Sequence, residues 1–249
     1  MPLLEVCGLV KSFGRRRVVN GVDFHVNGGE IVGLLGPNGA GKTTSFQITC
    51  GLLKADEGNV FLNGVDVTRW PMHRRSREGG MGYLAQESSV FSKLTVEQNI
   101  LSMLELLGVR GKARRQRCDM LLEQFDIAHI RKSKAGKLSG GERRRLEIAR
   151  SLIADPEIIM LDEPFAGIDP VTVQNIQRII CRLRDKEIAI LITDHAVREI
   201  LQIVDRAYVI KEGTVICSGT PNEIRTNSLV IDTYLGDMEE DESSQVGAA

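Results

Sequence analysis

A glycine-rich segment after the apolar run Ile31–Leu35 carries the side chains with the most specific chemical potential. It matches the spacing G-x-x-x-x-G-K-[ST] at every fixed position. Glycines in such a loop let backbone N–H groups turn toward a polyphosphate, because a Cβ would block the approach. Lys42 can then reach the β- and γ-phosphates of a nucleoside triphosphate, and the Thr43 hydroxyl can ligate Mg²⁺. The residues predicted to bind the phosphates are Gly36, Pro37, Asn38, Gly39, Ala40, Gly41, Lys42, Thr43 and Thr44.

A second apolar run, Ile158–Leu161, is followed by two carboxylates, Asp162 and Glu163. A buried strand that delivers an aspartate to its carboxyl end suits a magnesium site, because ligands of open α/β sheets bind at that edge. We therefore expect Asp162 to bind Mg²⁺ and Glu163 to orient or deprotonate the attacking water. By itself such a run is more often a strand that meets solvent, and the functional interpretation depends on the complete phosphate loop upstream.

The segment Leu138–Glu142 has the sequence Leu-Ser-Gly-Gly-Glu. Ser139 and Glu142 fit a capping box that begins a helix. Glycine in the first turn, here Gly140 and Gly141, costs about 1 kcal/mol per residue relative to alanine. A bare helix N-terminus also lets its amides approach an anion closely, and we expect both roles here.

Short apolar runs bounded by turn residues predict the scaffold of these segments. Runs of this length without polar alternation favour parallel strands buried on both faces. They are Ile31–Leu35, Val60–Leu62, Ile158–Leu161, Ile188–Ile192 and Arg206–Ile210. Helical periodicity separates many of them, with start signals at Asp169-Pro170 and at Thr220. The pattern predicts an α/β fold.

Between Ser88 and Gly136 the pattern becomes mostly helical, and a capping box at Thr95 begins one of the helices. We predict a helical subdomain over about residues 88–155, inserted into one domain that spans residues 1–238. A disordered acidic tail is predicted over residues 239–249.

The bulk composition narrows the classes of partner. A formal net charge of −1 provides no electrostatic case for binding nucleic acid. The basic clusters are therefore interpreted as solvated faces: Arg15–Arg17, His73–Arg75, Arg114–Arg117 and Arg143–Arg145. Five scattered cysteines indicate free thiols in a reducing cytosol. No signal peptide and no apolar run of about 18 residues is visible, so no direct membrane insertion is expected.

These motifs occur in the order and approximate spacing of the ATPase subunits of ABC transporters. The resemblance covers about Leu3 to Leu235 and includes Gln86 after an apolar strand, the Leu-Ser-Gly-Gly-Glu signature, the Ile-Ile-Met-Leu-Asp-Glu run and His195. It implies a P-loop NTPase core of the ABC ATPase type, with a β-rich N-terminal part and an inserted helical subdomain. It also implies binding of ATP and Mg²⁺, and hydrolysis of ATP.

The resemblance implies roles for further side chains. Phe13 would stack on the adenine, although tyrosine is commoner there. Gln86 would touch Mg²⁺ or the attacking water and sense the membrane partner. Asp169 would link two active sites, and His195 would hydrogen-bond the γ-phosphate.

In this family the signature residues Ser139, Gly140 and Gly141 contact ATP held by an opposite subunit. The chain has one cassette and no internal repeat. The resemblance therefore implies a homodimer with two composite sites.

Four segments are similar to ATPase subunits that power lipopolysaccharide export: Tyr83–Val96, Asp162–Pro170, Thr193–Glu199 and Tyr234–Gly236. This finer resemblance implies lipopolysaccharide extraction through two permeases of the LptF and LptG type, from the cytoplasmic face of the inner membrane. Ala196 departs from it, because asparagine is expected there. The alternative is a branched-chain amino acid importer, whose ATPase subunits share the phrase Asp-Glu-Pro-Phe-Ala-Gly. Phe91 is expected either to contact a permease or to pack inside the helical subdomain.

Overall fold

In the computed structural model, which describes residues 1–232, the strands form two sheets. The acidic tail predicted over residues 239–249 and the segment Tyr234–Gly236 lie outside the described residues. The strands are β1 (Leu4–Phe13), β2 (Arg16–Val26), β3 (Ile31–Leu35), β4 (Glu57–Leu62), β5 (Val65–Asp66), β6 (Met81–Leu84), β7 (Ile158–Asp162), β8 (Ala189–Thr193), β9 (Arg206–Lys211) and β10 (Thr214–Gly219).

The larger sheet has the strand order β10-β9-β3-β8-β7-β6. The strands from β9 to β6 run parallel, and β10 returns antiparallel through a hairpin at Glu212 and Gly213. Every residue of β3, β7 and β8 is buried, as the continuous apolar runs predict. Because the strands are parallel, the carboxyl ends of β3, β6, β7 and β8 lie at one edge of the sheet.

The smaller sheet is antiparallel, with the order β2-β1-β4-β5. The interpretation of Val60–Leu62 as a parallel strand was therefore wrong. In β4 only Val60 and Leu62 are buried, while Phe61 between them is partly exposed. This alternation is typical of a strand with one buried face, and a three-residue run is too short to reveal it. Val60 and Leu62 pack in one cluster with Val32 and Leu34 of the larger sheet.

The helices cover the larger sheet and fill the predicted helical region. They are α1 (Lys42–Cys50), α2 (Met72–Glu78), α3 (Val96–Leu106), α4 (Gly111–Gln124), α5 (Gly140–Ser151), α6 (Pro170–Arg184), α7 (Val197–Leu201), α8 (Pro221–Thr226) and α9 (Ser228–Val230). Helices α3, α4 and α5 lie within residues 88–155. The capping boxes predicted at Thr95, Ser139 and Thr220 are all present. Across residues 1–232, no helix combines the length and apolarity needed to cross a bilayer.

Candidate active site

The phosphate loop connects the end of β3 to the start of α1. Gly36 has φ 144°, and a Cβ there would lie 2.0 Å from the carbonyl oxygen of Ile210. Gly41 has φ 104°, and its Cβ would lie 2.6 Å from the carbonyl oxygen of Val18. No other residue type fits these two positions, because both the backbone conformation and the space exclude a side chain. Helix α1 begins without a side-chain cap, so its first amides remain available to an anion.

Lys42 lies along the inside of this loop and is 6% exposed. Its Nζ donates to the carbonyl oxygens of Gly36, at 2.5 Å, and Pro37, at 3.0 Å. Burial lowers the pKa of Lys42, and the charge of Glu163 opposes that shift. The ammonium group is thus held at the loop by backbone carbonyls, in a position to meet phosphate oxygens.

A buried arginine that the sequence analysis missed caps the C-terminal end of α1. Arg75 is 1% exposed and donates to the carbonyl oxygens of Ile48, at 2.9 Å, and Thr49, at 2.6 Å. Burial lowers its pKa to about 10. A cation at the C-terminus complements the helix dipole whose positive end points at the phosphate loop. The interpretation of His73–Arg75 as a solvated face was therefore wrong for Arg75.

Glu163 lies at the centre of a hydrogen-bonded group formed by the ends of three strands. Its Oε2 accepts from Gln86 Nε2 at 2.8 Å, and its Oε1 lies 2.8 Å from His195 Nε2. The structure therefore brings together Glu163, Gln86 and His195, three of the four side chains to which hydrolysis was assigned; the fourth, Lys42, lies in the phosphate loop. Glu163 has φ 46°, and its N–H donates to the carbonyl oxygen of Thr193 at 2.7 Å. A left-handed backbone at a glutamate is strained, and such strain is concentrated at functional sites.

Asp162 provides the test of whether a magnesium ion fits. The side chain is buried, and within residues 1–232 its Oδ1 has no hydrogen-bond partner. Burial, and then the charge of Glu163, raise the pKa of Asp162 to about 6. A buried carboxylate oxygen without a partner is costly unless a cation compensates it, so the residues fit Mg²⁺. Thr43 lies exposed in the first turn of α1, and Gln86 follows β6.

The signature residues form a second group around the starts of α5 and α6. Ser139 caps α5, and its N–H and Oγ donate to the carboxylate of Glu142, each at 2.8 Å. A Cβ on Gly141 would lie 2.3 Å from Thr172 Cγ2, so this glycine lets the two helix starts approach closely. Asp169 caps α6 by accepting from the N–H of Thr172 at 3.0 Å.

The signature residues and the phosphate loop remain separate within one chain. Over residues 1–232, no hydrogen bond joins Ser139, Gly140 or Gly141 to the phosphate loop. Phe13 lies at the end of β1 with 52% of its surface exposed, so its ring can stack on a base.

Arg144 is a second arginine whose place the sequence analysis missed. It is buried, and its guanidinium donates to the carbonyl oxygens of Ala85, at 3.0 Å, Asp162, at 2.9 Å, and Glu163, at 2.8 Å. Helix α5, which begins at the signature residues, is thereby hydrogen-bonded to the ends of β6 and β7. The interpretation of Arg143–Arg145 as a solvated face was wrong for Arg144. Helical spacing was the available signal, because Arg144 shares a face with Gly141 and Ile148.

Asp194 is a further buried residue that the sequence analysis did not single out. Its Oδ2 accepts from the N–H of Phe165 at 2.7 Å, and its Oδ1 accepts from the N–H of Ala196 at 3.0 Å. These bonds fix the backbone on either side of His195 and just after Glu163. Burial raises the pKa of Asp194.

The carboxyl ends of β3, β6, β7 and β8 thus carry the phosphate loop, Gln86, Glu163 and His195 at one edge of the larger sheet, as in an ATP-hydrolysing cassette. Residues 19–166 match the family described as ABC transporter. The chain belongs to this family, and it is an ATP-hydrolysing transport ATPase. The fold class and the enzyme class predicted from the sequence are both confirmed.

Particular relatives align along nearly the whole chain. The lipopolysaccharide export system ATP-binding protein LptB of Haemophilus influenzae is 48% identical over 239 residues, which cover 96% of this chain and 99% of that protein. An uncharacterised ABC transporter ATP-binding protein of Rhizobium meliloti is 54% identical over 230 residues, covering 92% and 85%. The crystal structure of MJ1267, an ATP-binding cassette of an ABC transporter in its ADP conformation, superposes with a TM-score of 0.85 at 29% identity, covering 95% and 99%.

Proposed function

We propose that this chain is the ATPase subunit of a lipopolysaccharide exporter and powers extraction of lipopolysaccharide from the inner membrane. The observation that carries the proposal is the similarity to LptB, which is 48% identical in both Haemophilus influenzae and Escherichia coli K12 and aligns over nearly the full length of both chains. The chain would act at the cytoplasmic face of the membrane, as a peripheral subunit.

The chain's own residues divide the chemistry of ATP hydrolysis among them. The loop amides and Lys42 hold the β- and γ-phosphates, and His195 hydrogen-bonds the γ-phosphate. Glu163 orients the attacking water and accepts its proton. In this structure Glu163 accepts from Gln86 and lies 2.8 Å from His195, and the remaining lone pairs of its carboxylate can accept from a water.

Mg²⁺ would be held by the Thr43 hydroxyl, Gln86 and the unpartnered oxygen of Asp162. It would supply charge neutralisation at the β- and γ-phosphates. Over residues 1–232, no cluster of three or more His, Cys, Asp or Glu side chains could hold a metal. A mixed set of hydroxyl, amide and carboxylate oxygens is the kind that Mg²⁺ accepts together with phosphate.

A second copy of the chain would complete each active site. Within the part of the chain that the structure describes, Ser139, Gly140 and Gly141 form no hydrogen bond with their own phosphate loop. The amides at the start of α5 suit an anion supplied by another subunit. Two copies related by a two-fold axis would pair each signature with the opposite ATP. Asp169 lies beside the signature and would link the two sites.

Two permeases of the LptF and LptG type would dock beside Phe91. Its ring is 44% exposed and lies against the guanidinium of Arg150, which is 4.8 Å from the ring centroid. Asn99 holds the backbone of Phe91 from both sides, accepting from its N–H at 2.8 Å and donating to its carbonyl oxygen at 3.1 Å. The exposed ring on a fixed backbone favours a permease contact over packing inside the helical subdomain.

The test is a pull-down of the tagged full-length chain from detergent-solubilised membranes of its source cell. Recovery of two permeases with large periplasmic domains supports the exporter. Recovery of importer permeases together with a periplasmic binding protein would contradict lipopolysaccharide as the substrate and favour the branched-chain amino acid importer. Glu163→Gln, run in parallel, controls for assemblies that form only in the ATP-bound state.

A further inference from the structure

The hairpin that carries Phe13 also carries a cation with no role in the proposed mechanism. Strands β1 and β2 are joined by a two-residue turn, and their register pairs Phe13 with Arg16. Gly14 in the turn has φ 59°, which suits a tight hairpin. Arg16 therefore lies directly across the hairpin from the ring expected to stack on adenine.

Strand β2 then runs along the phosphate loop. The carbonyl oxygen of Val18 lies so close to Gly41 that a Cβ there would be 2.6 Å away. Two residues earlier along β2, the Nη2 atom of Arg16 lies 4.0 Å from the position that a Cβ on Gly39 would occupy. The guanidinium of Arg16 thus lies beside the phosphate loop, on a residue that pairs with Phe13 across the hairpin.

Arg16 has no acidic partner to account for this placement. It is exposed, and across residues 1–232 its guanidinium forms neither an ion pair nor a hydrogen bond. The neighbouring Arg17 differs, because its Nη1 donates to Asn20 Oδ1 at 3.0 Å. A guanidinium carries five N–H donors and no acceptor, so a free one beside a phosphate loop is suited to an anion.

We propose that Arg16 binds the α-phosphate of ATP and of ADP. The proposal rests on the nucleotide site described above. Phe13 sets the position of the base and Lys42 that of the β- and γ-phosphates, so the ribose and the α-phosphate lie between them. Of these two groups only the phosphate is anionic, and a guanidinium prefers it.

The experiment measures ATP and ADP binding to the purified full chain by isothermal titration calorimetry. Arg16→Ala should weaken both nucleotides by about tenfold, the value of one charge-assisted hydrogen bond to phosphate. Arg16→Lys should recover part of the loss. Arg15→Ala is the matched control, because it removes the same charge from the adjacent turn residue and should change either affinity less than about twofold.

Equal affinities in Arg16→Ala and Arg15→Ala would overturn the proposal. A loss confined to ATP would also overturn it, because the contact would then be to the γ-phosphate. Lys42→Ala distinguishes failure of the Arg16 proposal from failure of the proposed nucleotide site. If Lys42→Ala binds ATP normally, the phosphate loop is not the nucleotide site, whereas loss of binding there with an unaffected Arg16→Ala refutes only the role of Arg16.

Discussion

Arg144→Met is the substitution whose consequences the structure defines most fully. It keeps a long side chain but removes hydrogen bonds to four backbone carbonyls, two of them buried and two partly buried. It also leaves Glu147 buried without the guanidinium that lies 3.1 Å from its carboxylate. Breaking a buried ion pair from one side costs about 3–5 kcal/mol, and unsatisfied carbonyls add to that loss. We expect the free energy of unfolding to fall by about 4–6 kcal/mol, a large part of the stability of a domain.

Arg145→Met is the matched control for this change. Arg145 is the next residue of the same helix, and its ion-pair partner Asp126 is 84% exposed. Surface pairs of this kind contribute about 0–1 kcal/mol. A further variant that combines Arg144→Met with Glu147→Gln should recover part of the stability, because it removes the unpaired buried charge.

Urea-induced unfolding followed by far-UV circular dichroism measures these differences. The ATPase rate of the folded Arg144→Met variant should also fall, because the freed carbonyls belong to the segments that carry Asp162 and Glu163. The reasoning is refuted if Arg144→Met and Arg145→Met unfold within about 1 kcal/mol of each other, since the buried network would then contribute nothing measurable.

Three further predictions concern the site and its partner. Glu163→Gln should leave ATP binding intact and slow hydrolysis by roughly 10²–10⁴-fold, the usual contribution of a general base, and near-normal turnover would remove Glu163 from that role. Because the folded-state pKa of Asp162 is raised to about 6, its charge destabilises the nucleotide-free protein increasingly as pH rises from about 4 to 6. Asp162→Asn should therefore unfold at a higher urea concentration than the parent at pH 8, and the difference should vanish near pH 4. A variant less stable than the parent at pH 8 would contradict the raised pKa of Asp162. Phe91→Ala should spare ATP binding but reduce permease recovery by roughly tenfold, whereas Met120→Ala, which removes a residue that is 45% exposed, should not; equal recovery from the two would place the interface elsewhere.

The features that could be predicted from the sequence are those that local chemistry determines. The capping box at Ser139 is one, because both partners lie within four residues. The buried strands β3, β7 and β8 are another, because continuous apolar runs of that length suit a sheet covered on both faces.

The features that were missed depend on contacts between distant segments. Arg144 and Arg75 each lie in a basic cluster, and nothing in the cluster itself shows that one guanidinium is buried among carbonyls contributed by other elements. Asp194 was missed for a similar reason, since its partner Phe165 becomes a neighbour only when β7 and β8 pair. The contacts of Gln86 and His195 with Glu163 were not predicted, because no spacing along the chain indicates them.

A set of polar contacts runs from Ser88, near the proposed permease contact, to the backbone of Glu163, the proposed general base. Ser88, three residues before Phe91, donates to Glu147 Oε1 at 2.6 Å. The other oxygen of Glu147 pairs with Arg144, whose guanidinium holds the carbonyl oxygen of Glu163 at 2.8 Å. Gln86 donates directly to Glu163, so a displacement of the loop after Gln86 would alter the hydrogen bonds of the proposed general base. The loop is therefore bonded to helix α5 through Ser88 and Glu147, and to the proposed general base through Gln86.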